Sequence, residues 1–217
     1  MNNLKKYPKI WHLPWSRSFD THDRVFSPEQ VKDLFYGKEV VVTEKLDGEN
    51  TNMYSDYIHA RSLDSAHHPS RALVKSIHSG IKFLIPEGWR VCGENVYAKH
   101  SIGYNELTSS FFIFGIYNQL NACLNWELTE QFAKNSIELP TVPVLYKGIF
   151  EIDVIQKLFT GKSVFGNSEQ EGYVIRLSGD IPWEQHTNSF AKFVRPHHVQ
   201  TAKNWLTQPM IKNKGNF

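Results

Sequence analysis

The stretch that most constrains this chain is VVVTEKLDGENTN, Val40 to Asn52. Val40 to Thr43 are all β-branched, a composition that favours a strand and disfavours helix. The strand then runs into Glu44, Lys45, Asp47 and Glu49, with Gly48 and Asn50 among them. Two readings fit. In one, Asp47-Gly48 is the turn of a hairpin, a second strand begins at Thr51, and Lys45 is a solvated strand-end residue neutralised by its neighbours. In the other, Lys45 is an amine held at the edge of a core for chemistry.

Length and composition bound the answer. The 217 residues suffice for one substantial domain, and 41% hydrophobic with 21% charged residues is ordinary for a globular protein. Cys92 and Cys123 supply neither a disulfide framework nor paired metal-ligand spacing, which suits a reducing cytoplasm. The start, MNNLKKYPKIWHLPWS, lacks the apolar stretch of a secretion signal. No run approaches the ~18–20 apolar residues of a membrane span.

The net charge of +2 says little, but its distribution says more. From Gln185 to Phe217 there is no acid, while Lys192, Arg195, Lys203, Lys212 and Lys214 stand with His186, His197 and His198. Phe193 and Trp205 are interleaved. Such a segment suits a phosphate backbone, or else is a solvated basic face.

The pattern predicts strands over 39–45, 51–62, 89–97, 111–117, 142–147, 172–177 and 190–195. Leu73, Ile77, Ile81 and Leu84 recur at helical spacing, so 70–84 is expected to be an amphipathic helix. Shorter helices are expected over Thr129–Ser136, Glu151–Phe159 and His198–Leu206. Strands outnumber helices and do not alternate with them, so the fold class is α+β with largely antiparallel sheets.

Several predicted strands carry polar groups unusual for a core. IHARS sets His59 and Arg61 on alternate positions. RVCGENVYA places Glu94 and Asn95 after Gly93. FFIFGIYN is aromatic, with Phe111, Phe112, Phe114 and Tyr117. EQEGYVIRL leads from Glu171-Gly172 into Tyr173-Val174-Ile175, and SFAKFVRP holds Lys192 with Arg195 just after it. Taken singly, each also fits a surface charge pair, a core aromatic or a bulge glycine. Their order, Lys-x-Asp-Gly, Arg-Ser, Gly-Glu-Asn, aromatic strand, Glu-Gly-Tyr-Val and strand lysine, resembles the covalent nucleotidyltransferases, which comprise ATP-dependent DNA and RNA ligases and mRNA capping enzymes. The likeness spans Val40 to Arg195 and is greatest to the ATP-dependent RNA ligases.

The resemblance implies an ATP-grasp-like ligase catalytic domain and an RNA ligase acting through lysyl-AMP. Lys45 would attack the α-phosphate of ATP and release pyrophosphate. AMP would pass to a 5′-phosphate RNA end, which a 3′-hydroxyl would then attack. Glu44 would lie near the adenine edge, and the motif residues Asp47 and Gly48 would also bind the nucleotide. Arg61 would lie near ribose or phosphates, and Phe114 or Phe112 would stack on adenine. Glu94 would contact ribose or metal-bound water, Glu171 would hold Mg²⁺ or Mn²⁺, and Lys192 would contact the α-phosphate. Arg195 would add positive charge. Phosphoryl-type transfer needs this positioning and charge neutralisation. A lysine attacks only when neutral, so desolvation and neighbouring positive charge are expected to lower the Lys45 pKa from its usual ~10.4.

Two positions depart from the family pattern. Val194 stands where a second lysine is often found, and Phe114-Gly115-Ile116 lacks an acid that many relatives place there. DNA ligases and capping enzymes carry an oligonucleotide-binding barrel after the last motif. The 22 residues after Arg195 are too few for one, so a single catalytic domain over 1–217 with a short basic helical tail at about 197–217 is expected. The N-terminal His12, Trp15, Arg17 and Asp23 fit either a lid over the phosphates or a packed segment. RNA repair in the cytoplasm is the expected setting. A ligase preferring nicked DNA or an RNA/DNA hybrid is one alternative, and a non-catalytic nucleic-acid-binding protein on this scaffold is the other.

Overall fold

The computed structural model describes residues 4–64, 67–196 and 209–217. Among these, the chain forms in order β1 (Trp11–His12), α1 (Pro28–Phe35), β2 (Glu39–Lys45), β3 (Glu49–Met53), β4 (Ile58–Ala60), α2 (Ala72–Ile81), β5 (Arg90–Asn95) and β6 (Phe111–Tyr117). It continues with α3 (Trp126–Asn135), β7 (Val144–Ile149), α4 (Ile152–Gln156), β8 (Gly172–Leu177), α5 (His186–Ser189) and β9 (Phe190–Val194). Two sheets result, with strand orders β1-β9-β8-β2-β7 and β4-β3-β5-β6. All pairings are antiparallel except β1 with β9. The class is α+β, as the strand pattern implied.

The valine run explains the position of β2. Flanked by β7 and β8, it sends Val40 and Val42 into a core with Leu13, Phe35, Phe150 and Tyr173, and Val41 into a second core with Leu46, Phe112 and Trp126. A strand buried on both faces needs apolar residues at successive positions, which is what Val40–Val42 supply. A buried valine contributes about 1.5–3 kcal/mol, so this strand is the anchor of the larger sheet.

The hairpin reading of Asp47-Gly48 does not hold. β2 and β3 belong to different sheets, so the turn is a crossing from one to the other. Gly48 is required by close approach rather than by turn geometry: a Cβ there would sit 2.4 Å from the Asn95 carbonyl oxygen. That contact brings the end of β2 against β5.

The expected strand over 51–62 is two strands, since Tyr54–Tyr57 turn the chain back, with the Tyr54 N–H donating to Tyr57 O at 2.7 Å. The α1 helix was not anticipated. Its signal is Ser27-Pro28-Glu29-Gln30: Ser27 Oγ accepts the Gln30 N–H at 3.2 Å and Gln30 Oε1 accepts the Ser27 N–H at 2.8 Å. This reciprocal cap, with proline in the first turn, starts a helix that buries Val31 and Phe35. The helix expected over His198–Leu206 lies outside the described residues. Residues 209–217 are extended rather than helical, bridging Ala98 to Lys212 and Leu107 to Gly215.

Candidate active site

A cavity of about 600 Å³ opens between the two sheets. The larger sheet contributes Thr43, Glu44 and Lys45 from β2, Val174 and Arg176 from β8, and Phe190 and Lys192 from β9. The smaller contributes Glu49 and Asn50 from β3, Glu94 from β5 and Phe114 from β6, with Arg61 just after β4. The period-two alternation of β8 puts Val174 and Arg176 on the face that looks into this space.

Strand pairing builds the centre. Lys45 lies opposite Gly172, so Glu171 is one residue from the lysine's cross-strand partner. Lys45 Nζ lies 2.5 Å from Glu171 Oε1, with the lysine side chain 26% exposed and the carboxylate 2%. Glu94 reaches in from β5, and its Oε1 accepts the Gly48 N–H at 3.0 Å. Of the two motif residues expected at the nucleotide, Gly48 lines the cavity and Asp47 does not. Asp47 Oδ2 accepts the N–H groups of Ser101 and Ile102 at 2.7 and 2.6 Å, and its own N–H donates to the Tyr104 hydroxyl at 2.9 Å. Asp47 therefore fixes the turn after the lysine to the loop following β5.

The electrostatics differ from the sequence expectation for Lys45. Burial pushes its pKa down, but the carboxylates of Glu171, Glu94 and Asp47 outweigh burial, and the net shift is upward. Lys45 is held as an ammonium. The acids bear the strain instead. Burial, with repulsion from Glu171 and Asp47, raises Glu94 to about 8, and burial with repulsion from Asp47 raises Glu171 to about 7. Burial and the nearby Lys45 charge lower Lys192 to about 8. Lys45, Glu94 and Lys192 line the cavity with Glu171 buried behind the lysine, and perturbed groups clustered at one cleft make it a candidate functional centre.

Glu44 is 1% exposed, and burial raises its pKa. Its Oε2 accepts the Val164 N–H at 3.0 Å and the Ser163 side chain partly offsets the rise, while its Oε1 is buried with no close hydrogen-bond partner among the described residues. Glu44 thus presents a buried acceptor at the cavity wall. Phe114, not Phe112, lines the cavity, for Phe112 is buried with its ring 5.0 Å from that of Phe165. Arg61 Nε donates to the Tyr7 carbonyl at 3.3 Å.

The profile of the RNA ligase family matches residues 38–194, which includes every strand that lines this cavity. The chain belongs to the RNA ligase family. Among solved structures it is similar to the RNA ligase of Naegleria gruberi. An apo mutant of that protein superposes with a TM-score of 0.55 at 19% identity over 77% of this chain and 52% of that one. A lysine-to-alanine mutant with ATP and Mn gives 0.55 at 18% identity over 87% and 61%. Another mutant, with AMP and Mn, gives 0.54 at 19% over 77% and 52%. The chain thus spans about half the length of those solved ligases. No match was found among curated proteins.

Within this family frame, Arg195 does not reach the cavity. Its Nη2 donates to Glu169 Oε2 at 2.7 Å, and its N–H donates to the Glu171 carbonyl at 3.0 Å, so it secures the backbone that carries Glu171. Val194 is buried in the sheet at 4% exposure, an apolar position where a lysine would point inward. The N-terminal segment is packed: Trp11-His12 pairs with β9, Trp15 Nε1 donates to the Tyr173 hydroxyl at 2.8 Å, and His12 Nδ1 meets Ser16 Oγ at 2.8 Å. Burial and the Lys192 charge hold His12 near 4, so it stays neutral. Asp23 and Lys9, from the same segment, nevertheless line the cavity mouth.

Arg176, His100 and Phe190 are among the cavity residues that sequence reasoning missed. Arg176 has a readable signal in the alternation Gly172, Val174, Arg176. Arg176 is 2% exposed, and its Nη2 donates to the Leu124 carbonyl at 2.6 Å. His100 and Phe190 carry no such signal, because only tertiary packing brings them in. As for a metal, no group of three or more His, Cys, Asp or Glu side chains among the described residues forms a ready-made cage. Glu94 and Glu171, mutually repelling and raised, fit a hard cation that takes one or two carboxylates and completes its shell with water and substrate phosphate.

Proposed function

We propose that this protein is an ATP-dependent RNA ligase that joins 5′-phosphate and 3′-hydroxyl RNA ends through an AMP carried on Lys45. The observation that carries this reading is the contact of Lys45, in the wall of a cleft that both sheets line, with the buried Glu171 behind it, and the cationic Lys192 among the same walls. Lys45 must lose a proton before its nitrogen can bond to phosphorus. Glu171 Oε1 is the nearest acceptor, and with a pKa of about 7 it is suited to take and release that proton near neutrality. As the Nζ–P bond forms, the P–O bond to pyrophosphate breaks. Burial of Lys45 favours the neutral amine once the acids around it are compensated. A divalent cation, Mg²⁺ or Mn²⁺, held by Glu94 and Glu171 would supply that compensation and neutralise phosphate charge.

Lys192 and Arg61 bind phosphate oxygens. Phe114 and Val174 flank the base, and Glu44 Oε1 accepts from the adenine amino group. Asp47 and Arg195 position the nucleophile and Glu171 without touching nucleotide. The ATP- and AMP-bound Naegleria structures support a nucleotide in this fold. One adenylylation domain over 1–217, acting in RNA repair in the cytoplasm, is the setting this reading adopts.

The test is end joining. Purified protein with ATP and Mg²⁺ should convert a 5′-phosphorylated RNA with a 3′-hydroxyl into joined or circular product. Joining only of nicked DNA or an RNA/DNA hybrid would reassign the substrate. Absence of both joined product and AMP-capped 5′ ends would defeat the reading.

A further inference from the structure

Residues 209–217 run extended along the loop after β5. The Lys99 N–H donates to the Ile211 carbonyl at 2.8 Å, the Asn213 N–H to Tyr97 O at 3.0 Å, and the Lys214 N–H to Tyr104 O at 2.9 Å. Asn213 is the pin. It is 6% exposed, its Nδ2 donates to the Val96 and Ala98 carbonyls at 2.8 and 3.3 Å, and its Oδ1 accepts the Tyr104 N–H at 2.9 Å. Side chains alternate along an extended segment, so burying Asn213 turns Lys212 and Lys214 outward, and both are exposed. Lys99 is exposed on the facing loop, and Lys212 Nζ stands 5.2 Å from the Tyr97 ring centre.

Neither 96–104 nor 209–217 contains an Asp or Glu. The two segments therefore present ammonium groups with no acid of their own to neutralise them, in a place fixed by a buried asparagine. Lys99 is followed by His100, which lines the cavity, whereas Lys99, Lys212 and Lys214 do not. The ledge stands outside the nucleotide space and adjoins it.

We propose that Lys99, Lys212 and Lys214 form a phosphate-binding ledge for the RNA strand whose end is processed at Lys45. The proposal rests on the RNA ligase reading and adds where the polymer lies. Pinned lysines with no salt-bridge partner among the described residues suit a polyanion, since phosphate contacts give affinity without regard to sequence. ATP has no reach to all three from a cavity that excludes them.

The test is the full-length Lys99→Ser/Lys212→Ser/Lys214→Ser variant, beside a triple Lys→Arg variant that keeps the charge. Binding of a 5′-phosphorylated single-stranded RNA is measured by fluorescence anisotropy across a salt series, with self-adenylylation from ATP in parallel. Loss of three phosphate contacts should flatten the log–log salt slope by about 2, at ~0.7 per contact on a single strand. Kd should rise ~10-fold or more at low salt, the arginine variant should keep the wild-type slope, and adenylylation should be unchanged in both. A wild-type slope and Kd in the serine variant overturn the ledge and leave the ligase reading intact. A wild-type protein that takes no AMP overturns the ligase reading, while the salt slope still decides the ledge.

Discussion

Replacing Glu171 with glutamine should make the protein more stable and abolish its chemistry. The Glu171 carboxyl is 2% exposed, and burial with repulsion from Asp47 lifts its pKa from the ordinary 4.5 to about 7 despite the adjacent Lys45. A carboxyl whose folded pKa lies above its unfolded one favours the fold when protonated, and that advantage is lost as pH rises between the two values. The gap, at ~1.4 kcal/mol per pH unit, corresponds to about 3 kcal/mol of cost once pH is well above 7. Glutamine imitates the protonated form at every pH. Urea unfolding of Glu171→Gln and wild type should therefore agree near pH 4.5, diverge between about 4.5 and 7, and differ by about 3 kcal/mol in favour of the variant at pH 8–9. Self-adenylylation should fall ~100-fold or more, the scale for losing a preorganised electrostatic group. A pH-independent difference, or a variant less stable at pH 8, would refute the reasoning, because Glu171 would then be a net stabilising ion-pair partner.

Three further outcomes follow from the same geometry. Adenylylation at subsaturating ATP should rise through about pH 7 as Glu171 loses its proton and fall above about 8 as Lys192 loses its charge, and Lys192→Arg should remove the falling limb, as a pH series on both proteins would reveal. Asn213→Ala should cost about 1–3 kcal/mol in urea unfolding, since it strands the Val96 carbonyl and the Tyr104 N–H. Gly48→Ala should lose AMP transfer in a labelling assay, because its Cβ would be 2.4 Å from the Asn95 carbonyl and must push the lysine turn off β5.

Much of this was legible in the sequence because it was local. The β-branched run announced β2, the aromatic run announced β6, and the spacing of Leu73, Ile77 and Ile81 announced α2. The motif order pointed to Lys45, Glu94, Glu171 and Lys192, and each sits on or beside a strand whose register is set by its own pattern. What stayed hidden was tertiary. Nothing within Asp47-Gly48 says that the next strand joins a different sheet. The rise in the Lys45 pKa depends on how near Glu171 and Glu94, distant in the chain, approach alongside Asp47, and a sequence gives no distances. Phe112 and Phe114 are two residues apart with like chemistry, and only the register shift between β5 and β6 decides which of them faces the cavity. Arg195 looked like a phosphate ligand until its partner Glu169 was known.

The account stands most directly on the fate of Lys45. Wild-type protein incubated with Mg²⁺ and α-labelled ATP, then digested and mapped by mass spectrometry, should carry AMP on Lys45 alone through an acid-labile, alkali-stable phosphoramidate. Lys45→Ala and Lys45→Arg should carry none while unfolding cooperatively like wild type, since a guanidinium stays protonated and cannot attack. AMP on another residue, or undiminished labelling of either variant, would contradict the central claim.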